Sequence, residues 1–218
     1  MTSIKLWGIG TPRSFRPIWL AEELGVAYEL LPIGPRTGET QTAEYTRMNR
    51  KQKIPFLEDG EVRLSESLAI CRYLLGKYGN GSVLAPDTPA SKAKEDEWCC
   101  YIYGELDETS LYVMRRHGEL AEIYGASEQV VASCQSYLQR HLTVLDEHLS
   151  SHDYLMESMF SLPDLMLMSC LDWAEFYGVD LPASIKRYQQ RIASRPAYGK
   201  AMQINYAELL GGLASGAA

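Results

Sequence analysis

The 218-residue chain contains no apolar stretch near the ~18 residues that a membrane-spanning helix needs. Its start also lacks the basic region and apolar core of a secretory leader. No membrane association and a cytoplasmic address are therefore expected. No run of Lys or Arg exceeds two residues, and 21 basic side chains face 28 acidic ones for a net charge of −7. That balance argues against nucleic acid, whose phosphates call for a basic face. Cys-x-x-Cys is absent, and the five cysteines (Cys71, Cys99, Cys100, Cys134, Cys170) are odd in number and scattered. Free thiols are expected rather than a disulfide framework. His148 and His152 stand four apart, but without the acidic partner pattern of a metal site, so no metal is expected.

What is present is ordinary globular material, 46% hydrophobic and 22% charged, enough for a sizeable core. The charge is unevenly spread. Residues 1–80 carry 11 basic and 9 acidic side chains (+2), while 81–218 carry 10 and 19 (−9). In the first part, Ile4 to Ile9 and Tyr28 to Ile33 read as strands around a helix marked by Phe15, Ile18, Trp19, Leu20 and Leu24, with Gly25 as its stop. Ile54 to Glu58 and Val62 to Leu64, joined through Asp59-Gly60, read as a hairpin, and Ser65 to Tyr78 as a helix. A βαβ unit extended by a hairpin makes a small mixed sheet with helices on its faces.

Gly79 to Pro89 has the composition of a linker. After it the pattern is helical throughout: Ser91 to Gly118, Ser127 to Leu149, Pro163 to Tyr177, Pro182 to Ser194 and Pro196 to Leu210, with a loose Gly- and Ala-rich tail from Gly211. The expected domains are 1–80, α/β, and 90–218, all-α, joined by 81–89.

Three places carry candidate chemistry, each with a structural reading beside the functional one. Thr11-Pro12-Arg13-Ser14 lies where the first strand enters the first helix. Thr11 serves there as N-cap with Pro12 at the first helical position, or the exposed N–H groups and a hydroxyl stabilise an anion. Pro55 opens a strand as architecture, or, if cis, turns the backbone of Ile54 toward a cleft where an extended peptide pairs with it. Ser65-Glu66-Ser67 opens the third helix with Ser65 as cap, or uses Ser67 and first-turn N–H groups for a carboxylate and Glu66 for an amine. Basic residues gather nearby: Arg36, Arg47, Arg50, Lys51 and Lys53 face only Glu39 and Glu44. They make a solvated loop or focus an anionic ligand.

In order and spacing, these elements resemble a cytosolic glutathione S-transferase of the bacterial, serine/threonine-turn type over essentially the whole length. The resemblance rests on Thr11 to Arg16, on Lys53-Ile54-Pro55-Phe56-Leu57 with Asp59-Gly60, on Glu66-Ser67 leading to Ala69-Ile70 and Tyr73-Leu74, and on Ser161-Leu162-Pro163-Asp164. It implies a thioredoxin-like N-terminal domain and an all-α C-terminal domain, a homodimer, and detoxification chemistry with glutathione as co-substrate. Ser67 and the backbone beside Glu66 would hold the γ-glutamyl carboxylate, Glu66 the amine, Ile54 before a cis Pro55 the cysteinyl unit, and Gln52 or Lys53 the glycyl carboxylate. Ser161 and Asp164 match the family's structural capping box. Two departures stand out. Many relatives have Asn-Pro and a Gly where this chain has Asn49-Arg50-Lys51-Gln52, and the turn lacks a clear Tyr, Ser or Cys at the usual place. Thr11 falls there, with Ser14 as the alternative.

The expected chemistry is generation of a thiolate that attacks a small, largely apolar electrophile. Thr11 or Ser14 donates a hydrogen bond to the glutathione sulfur and Arg13 adds positive potential. Tyr103, Leu111, Met114 and Arg115 on the first long helix are the expected wall for the second substrate. The rivals are a peroxidase or disulfide reductase using the glutathione thiol, and a non-enzymatic glutathione-binding scaffold.

Overall fold

Short, β-rich runs between helical patterns build the first part of the chain. The computed structural model describes residues 4–156 and 159–207. Strand β1 (Ile4–Trp7) is followed by helix α1 (Pro12–Leu24), strand β2 (Tyr28–Leu31), the short helix α2 (Ala43–Met48), strands β3 (Phe56–Asp59) and β4 (Val62–Ser65), and helix α3 (Ser67–Tyr78). The sheet order is β2-β1-β3-β4. β1 pairs in parallel with β2, Ile4 opposite Tyr28, and antiparallel with β3, Leu6 opposite Leu57. The crossover through α1 is what a parallel pair requires, and the two-residue turn is what the β3–β4 hairpin requires. Gly25 ends α1 in the left-handed region at φ 63, its N–H donating back to Ala21 and Glu22. Asp59 closes the hairpin onto α3: its carboxylate accepts from Lys77 Nζ at 2.7 Å, Tyr73 at 2.8 Å and Tyr78 at 2.5 Å.

The helical part opens with α4 (Pro89–Tyr101), capped by Thr88, and runs on through Ile102–Tyr112 into α5 (Val113–His117). The single long helix expected over Ser91 to Gly118 is thus continuous, but its middle is π-wound. There the Ser110 hydroxyl donates to the carbonyl of Glu105, five residues back, at 2.6 Å. A short α6 (Ala121–Tyr124), which the periodicity does not announce, precedes α7 (Glu128–Leu149), α8 (Leu162–Phe176) and α9 (Ala183–Ala193). α8 is buried without a break from Leu162 to Leu171, as its apolar sequence all round dictates.

Helix α10 (Pro196–Asn205) follows α9 in the chain but falls in the first unit. The described residues form two units: one running to Ala85 and joined by those from Ala193 onward, the other Pro86–Ile192. α10 packs on α1. The Tyr198 ring meets Phe15 and Trp19 edge-on at 5.6 and 5.2 Å between centroids, Arg195 grips Glu23 bidentately at 2.7 and 2.8 Å, and Lys200 reaches Glu22 at 2.6 Å. A helix period shows that α10 exists, not which layer it joins, so its place was invisible in the pattern. The expected end of this helix at Leu210 and the tail from Gly211 lie outside the described residues. Glu23 is almost wholly buried, so removing Arg195 leaves its charge with only the Trp19 indole N–H at 2.9 Å. Arg195→Ala is expected to lower unfolding free energy by about 2 kcal/mol in urea titration.

Candidate active site

The end of β1 turns into α1 through two glycines in the positive-φ region, Gly8 at 110 and Gly10 at 75. Thr11 is the extended N-cap. Its Oγ1 accepts from the Ser14 N–H at 2.9 Å, and Ser14 Oγ accepts from the Thr11 N–H at 3.1 Å, a reciprocal capping box. The structural reading of this turn therefore holds. Ser14 is 0% exposed, its hydroxyl enclosed in the box; a ligand has nothing of it to touch. Thr11 keeps 8%. Arg13 stands half-buried on the first turn.

The Ile54–Pro55 peptide is cis. The segment before it is pinned by two donors on one carbonyl: Tyr45 Oη reaches Lys53 O at 2.7 Å and Asn49 Nδ2 reaches the same atom at 2.8 Å. Asn49 Oδ1 also accepts from the Lys51 N–H at 3.1 Å. Gln52 adopts φ 54, the left-handed conformation that suits a glycine, and its amide is engaged with Thr46 at 2.9 Å. Lys53 extends an exposed side chain that has no partner among the described residues. Ile54 is half-buried against a cluster of Ile33, Tyr45 and Phe56 flanked by Trp7 and Met48.

At α3 the capping reading fails. Ser65 is paired with Phe56 in the hairpin, so it belongs to the strand. The N-cap is Glu66, at φ 76 and ψ 117, and no side chain caps this helix, whereas Thr11, Thr88 and Ser127 cap α1, α4 and α7. Ser67, the first helical residue, is buried and accepts from Arg16 Nη1 at 3.3 Å. The Arg16 guanidinium is fully buried behind it. An uncapped helix start with a buried cation at its back is a place of positive potential. The Glu66 carboxylate, exposed, pairs with Lys51 at 2.8 Å.

Sequence reasoning missed Arg16, Tyr45, Asn49 and Asn205. Arg16 had a readable signal, since it interrupts the apolar face formed by Phe15, Trp19 and Leu20. Asn205 had none. It arrives from α10 to meet Thr11 and Ser14, with its Nδ2 3.1 Å from the Thr11 carbonyl and its Oδ1 3.0 Å from Ser14 Oγ.

Of the residues expected to wall the second substrate, Leu111 in the π-wound segment and Met114 in α5 are buried. Tyr103 and Arg115 remain half-buried, donating to Glu108 at 3.1 Å and pairing with Glu119 at 3.3 Å. Ser161 and Asp164 form the capping box of α8, with Asp164 Oδ2 accepting from both the N–H and the hydroxyl of Ser161 at 2.9 and 2.6 Å. Asp164 Oδ1 accepts from the Leu155 N–H at 2.9 Å and from Tyr188 at 3.0 Å.

A four-stranded mixed sheet of this order with a cis-proline before β3, followed by a helical unit, defines a thioredoxin-like α/β domain with an all-α partner. Residues 2–76 match the family model described as glutathione S-transferase, N-terminal domain, and 101–196 the one described as glutathione S-transferase, C-terminal domain. The chain is 30% identical over 203 residues to glutathione S-transferase 4 of Zea mays, with 90% of each chain covered. It is 25% identical to glutathione S-transferase GstB of Escherichia coli, covering 92% of this chain and 98% of that one. Among solved structures, the theta class glutathione S-transferase from Xanthomonas axonopodis pv. citri with glutathione bound superimposes with a TM-score of 0.79 at 27% identity, covering 92% and 97%. The chain belongs to the glutathione S-transferase family, a family of enzymes. Among the described residues no helix is long and apolar enough to cross a membrane.

Proposed function

We propose that this protein binds glutathione on its first unit and activates the thiol as thiolate for attack on a small, largely apolar electrophile. The observation that carries the reading is the start of α3: uncapped, with Ser67 at its first position and the Arg16 guanidinium buried behind it. That is a seat for the γ-glutamyl carboxylate, and the Glu66 carboxylate beside it answers the amine, exchanging the Lys51 ammonium for the ligand's own. The exchange costs little, because an exposed ion pair of this kind is worth about 0–1 kcal/mol. The backbone of Ile54 receives the cysteinyl unit in extended pairing. Lys53 takes the glycyl carboxylate in preference to Gln52, whose amide is already committed to Thr46.

Thr11 then sits at the sulfur. A free thiol titrates near 8.5, so little is ionised at neutral pH, and each unit of depression corresponds to about 1.4 kcal/mol of preference for the anion. A hydroxyl donor at a helix N-terminus supplies about one to two units. The thiol proton leaves to solvent. The thiolate then forms a carbon–sulfur bond while the electrophile's leaving group departs with its electron pair, or while a strained ring opens. Thr11 acts as a hydrogen-bond donor throughout, never as a base.

Spectral titration of the bound thiol tests this. The expected result is a pKa one to two units below that of free glutathione in the native protein, and a return of about one unit in Thr11→Val, with a loss of about tenfold in kcat/KM at neutral pH. An unshifted thiol in the native protein refutes the mechanism. Screening aryl halides, epoxides, hydroperoxides and mixed disulfides with the same preparation identifies the electrophile class.

A further inference from the structure

The Glu66 carboxylate meets a cation of the protein's own before any ligand arrives. Glu66 stands at the N-cap of α3 without capping it, since its side chain accepts no helix N–H. Its carboxylate has one partner among the described residues, the Lys51 ammonium at 2.8 Å. The two residues are 15 positions apart, and the pair ties the loop that leads into the cis Ile54–Pro55 step to the helix start that carries Ser67. Lys51 is held in place by its backbone. Its N–H donates to Asn49 Oδ1 at 3.1 Å, and the Gln52 N–H donates to Asn49 O at 3.0 Å, closing the turn around it. Asn49 is 5% exposed, so the loop is anchored, while the Lys51 and Glu66 side chains each remain 56% exposed.

In the glutathione reading above, on which this inference rests, the same carboxylate receives the ligand's α-amino group. Two ammonium groups therefore claim one anion. When glutathione binds, the Lys51–Glu66 pair gives way to a pair of the same kind, and little is gained from the amine. When a ligand without that amine binds, Lys51 stays where it is and Glu66 keeps its counter-ion. With a neutral side chain at position 51 the balance differs. Glutathione then gains a new ion pair, whereas a ligand lacking the amine sets its α-carboxylate beside a carboxylate that nothing neutralises.

We propose that Lys51 is a specificity-determining residue: a built-in counter-ion on Glu66 that competes with the ligand's α-amino group and so opens the site to glutaryl thiol peptides, the des-amino counterparts of γ-glutamyl ones. The α-carboxylate is common to both kinds of ligand, so any attraction of Lys51 for it cancels when the two are compared. What remains is the competition of two cations for Glu66. Its sign is the same whether Lys51 swings out into solvent or shares the two carboxylate oxygens with the incoming amine, because like charges are brought together in either case. Its size is that of an exposed pair, a few-fold in affinity at most, and salt screens it.

The test is calorimetric titration with glutathione and with glutaryl-cysteinylglycine, the same tripeptide without its α-amino group. The quantity read is the ratio of the two dissociation constants, which a change in fold stability alone does not move. Lys51→Met is expected to raise the preference for glutathione by about threefold at low salt, and Lys51→Arg to keep the native ratio. At about 1 M salt, where the Debye length is ~3 Å, the difference between the native protein and Lys51→Met is expected to vanish. In a Glu66→Gln background, adding Lys51→Met is expected to leave the ratio little changed. An unchanged or lowered preference in Lys51→Met overturns the proposal. So does a rise as large in the Glu66→Gln background, which would show Lys51 repelling the amine without competing for Glu66. A native protein that binds neither ligand refutes the glutathione reading itself, whereas one that binds glutathione with a preference unmoved by Lys51→Met refutes only the role of Lys51.

Discussion

Asp164→Ala is expected to lower the unfolding free energy by about 3 kcal/mol at pH 7 and by about 5 kcal/mol at pH 4. The wild-type carboxylate is wholly buried and accepts from the Ser161 N–H and hydroxyl, the Leu155 N–H and the Tyr188 hydroxyl. Alanine leaves the Leu155 and Ser161 N–H groups and the Ser161 hydroxyl buried without their acceptor, at about 1–3 kcal/mol each, and the Tyr188 hydroxyl with only the carbonyl of residue 164 at 3.3 Å. Against this runs the cost of keeping a charge out of water. Burial pushes the Asp164 carboxyl up to about 6, with the hydrogen bonds of Ser161, Leu155 and Tyr188 pulling it down. The unfolded carboxyl titrates near 3.9. Between pH 4 and 6 the folded chain therefore holds a proton that the unfolded chain has lost, so this group's contribution to stability is largest at low pH and falls as pH rises through 6. Over that span the difference is about 2 kcal/mol. Urea titrations at pH 4 and 7 check both numbers, and the same penalty for the variant at both pH values contradicts the assignment of a raised carboxyl.

Gly8→Ala is expected to cost about 3 kcal/mol or more and to weaken glutathione binding with it. A Cβ on residue 8 falls 2.6 Å from Ile54 Cβ and 2.9 Å from its Cγ2, and the φ of 110 is one that side-chain-bearing residues rarely adopt. The relief cannot come from a rotamer change, since the nearest atom is the Cβ of Ile54 itself. Ile54 must move with its backbone, and that backbone is the proposed partner of the cysteinyl unit. Combining Gly8→Ala with Ile54→Ala leaves the collision in place, while Ile54→Gly removes it and restores part of the stability. Calorimetric titration with glutathione beside denaturant curves separates the effects: unchanged affinity in a destabilised Gly8→Ala protein would show that Ile54 stays put.

How much of this was legible in the sequence depends on how far the partners stand apart. The strands, the Asp59-Gly60 turn, the Ile54-Pro55 step and the Ser161-Asp164 box are local signals, each decided by side chains within a few residues, and each element stands near its expected place. The turn at Thr11 was half legible. Thr11 and Ser14 were recognised as rivals for one role, but only burial distinguishes them, and burial depends on packing that no short window contains. Ser65 was misread for a related reason. A serine before a helix is a good cap until a strand claims it, and pairing with Phe56 is a longer-range fact than a capping preference. Arg16 lay in plain view as a charge on an apolar face. Leu111 and Met114 are apolar residues on a long helix, and which apolar side chains the neighbouring elements cover is not written in the helix's own sequence.

The return of α10 to the first unit sets a timetable as well as a shape. Thr11 and Asn205 are bonded across 194 positions of sequence. At a synthesis rate of ~5–20 residues per second, the turn leaves the ribosome about 10–40 s before its amide partner exists. Through that interval the sheet and α1 can form from neighbouring sequence, but the aromatic face of Phe15 and Trp19 still waits for Tyr198 to cover it. The nascent first unit is thus a half-clothed intermediate during translation, exposed to chaperones and to misassociation, and its candidate catalytic turn is among the earliest segments made and the latest to mature.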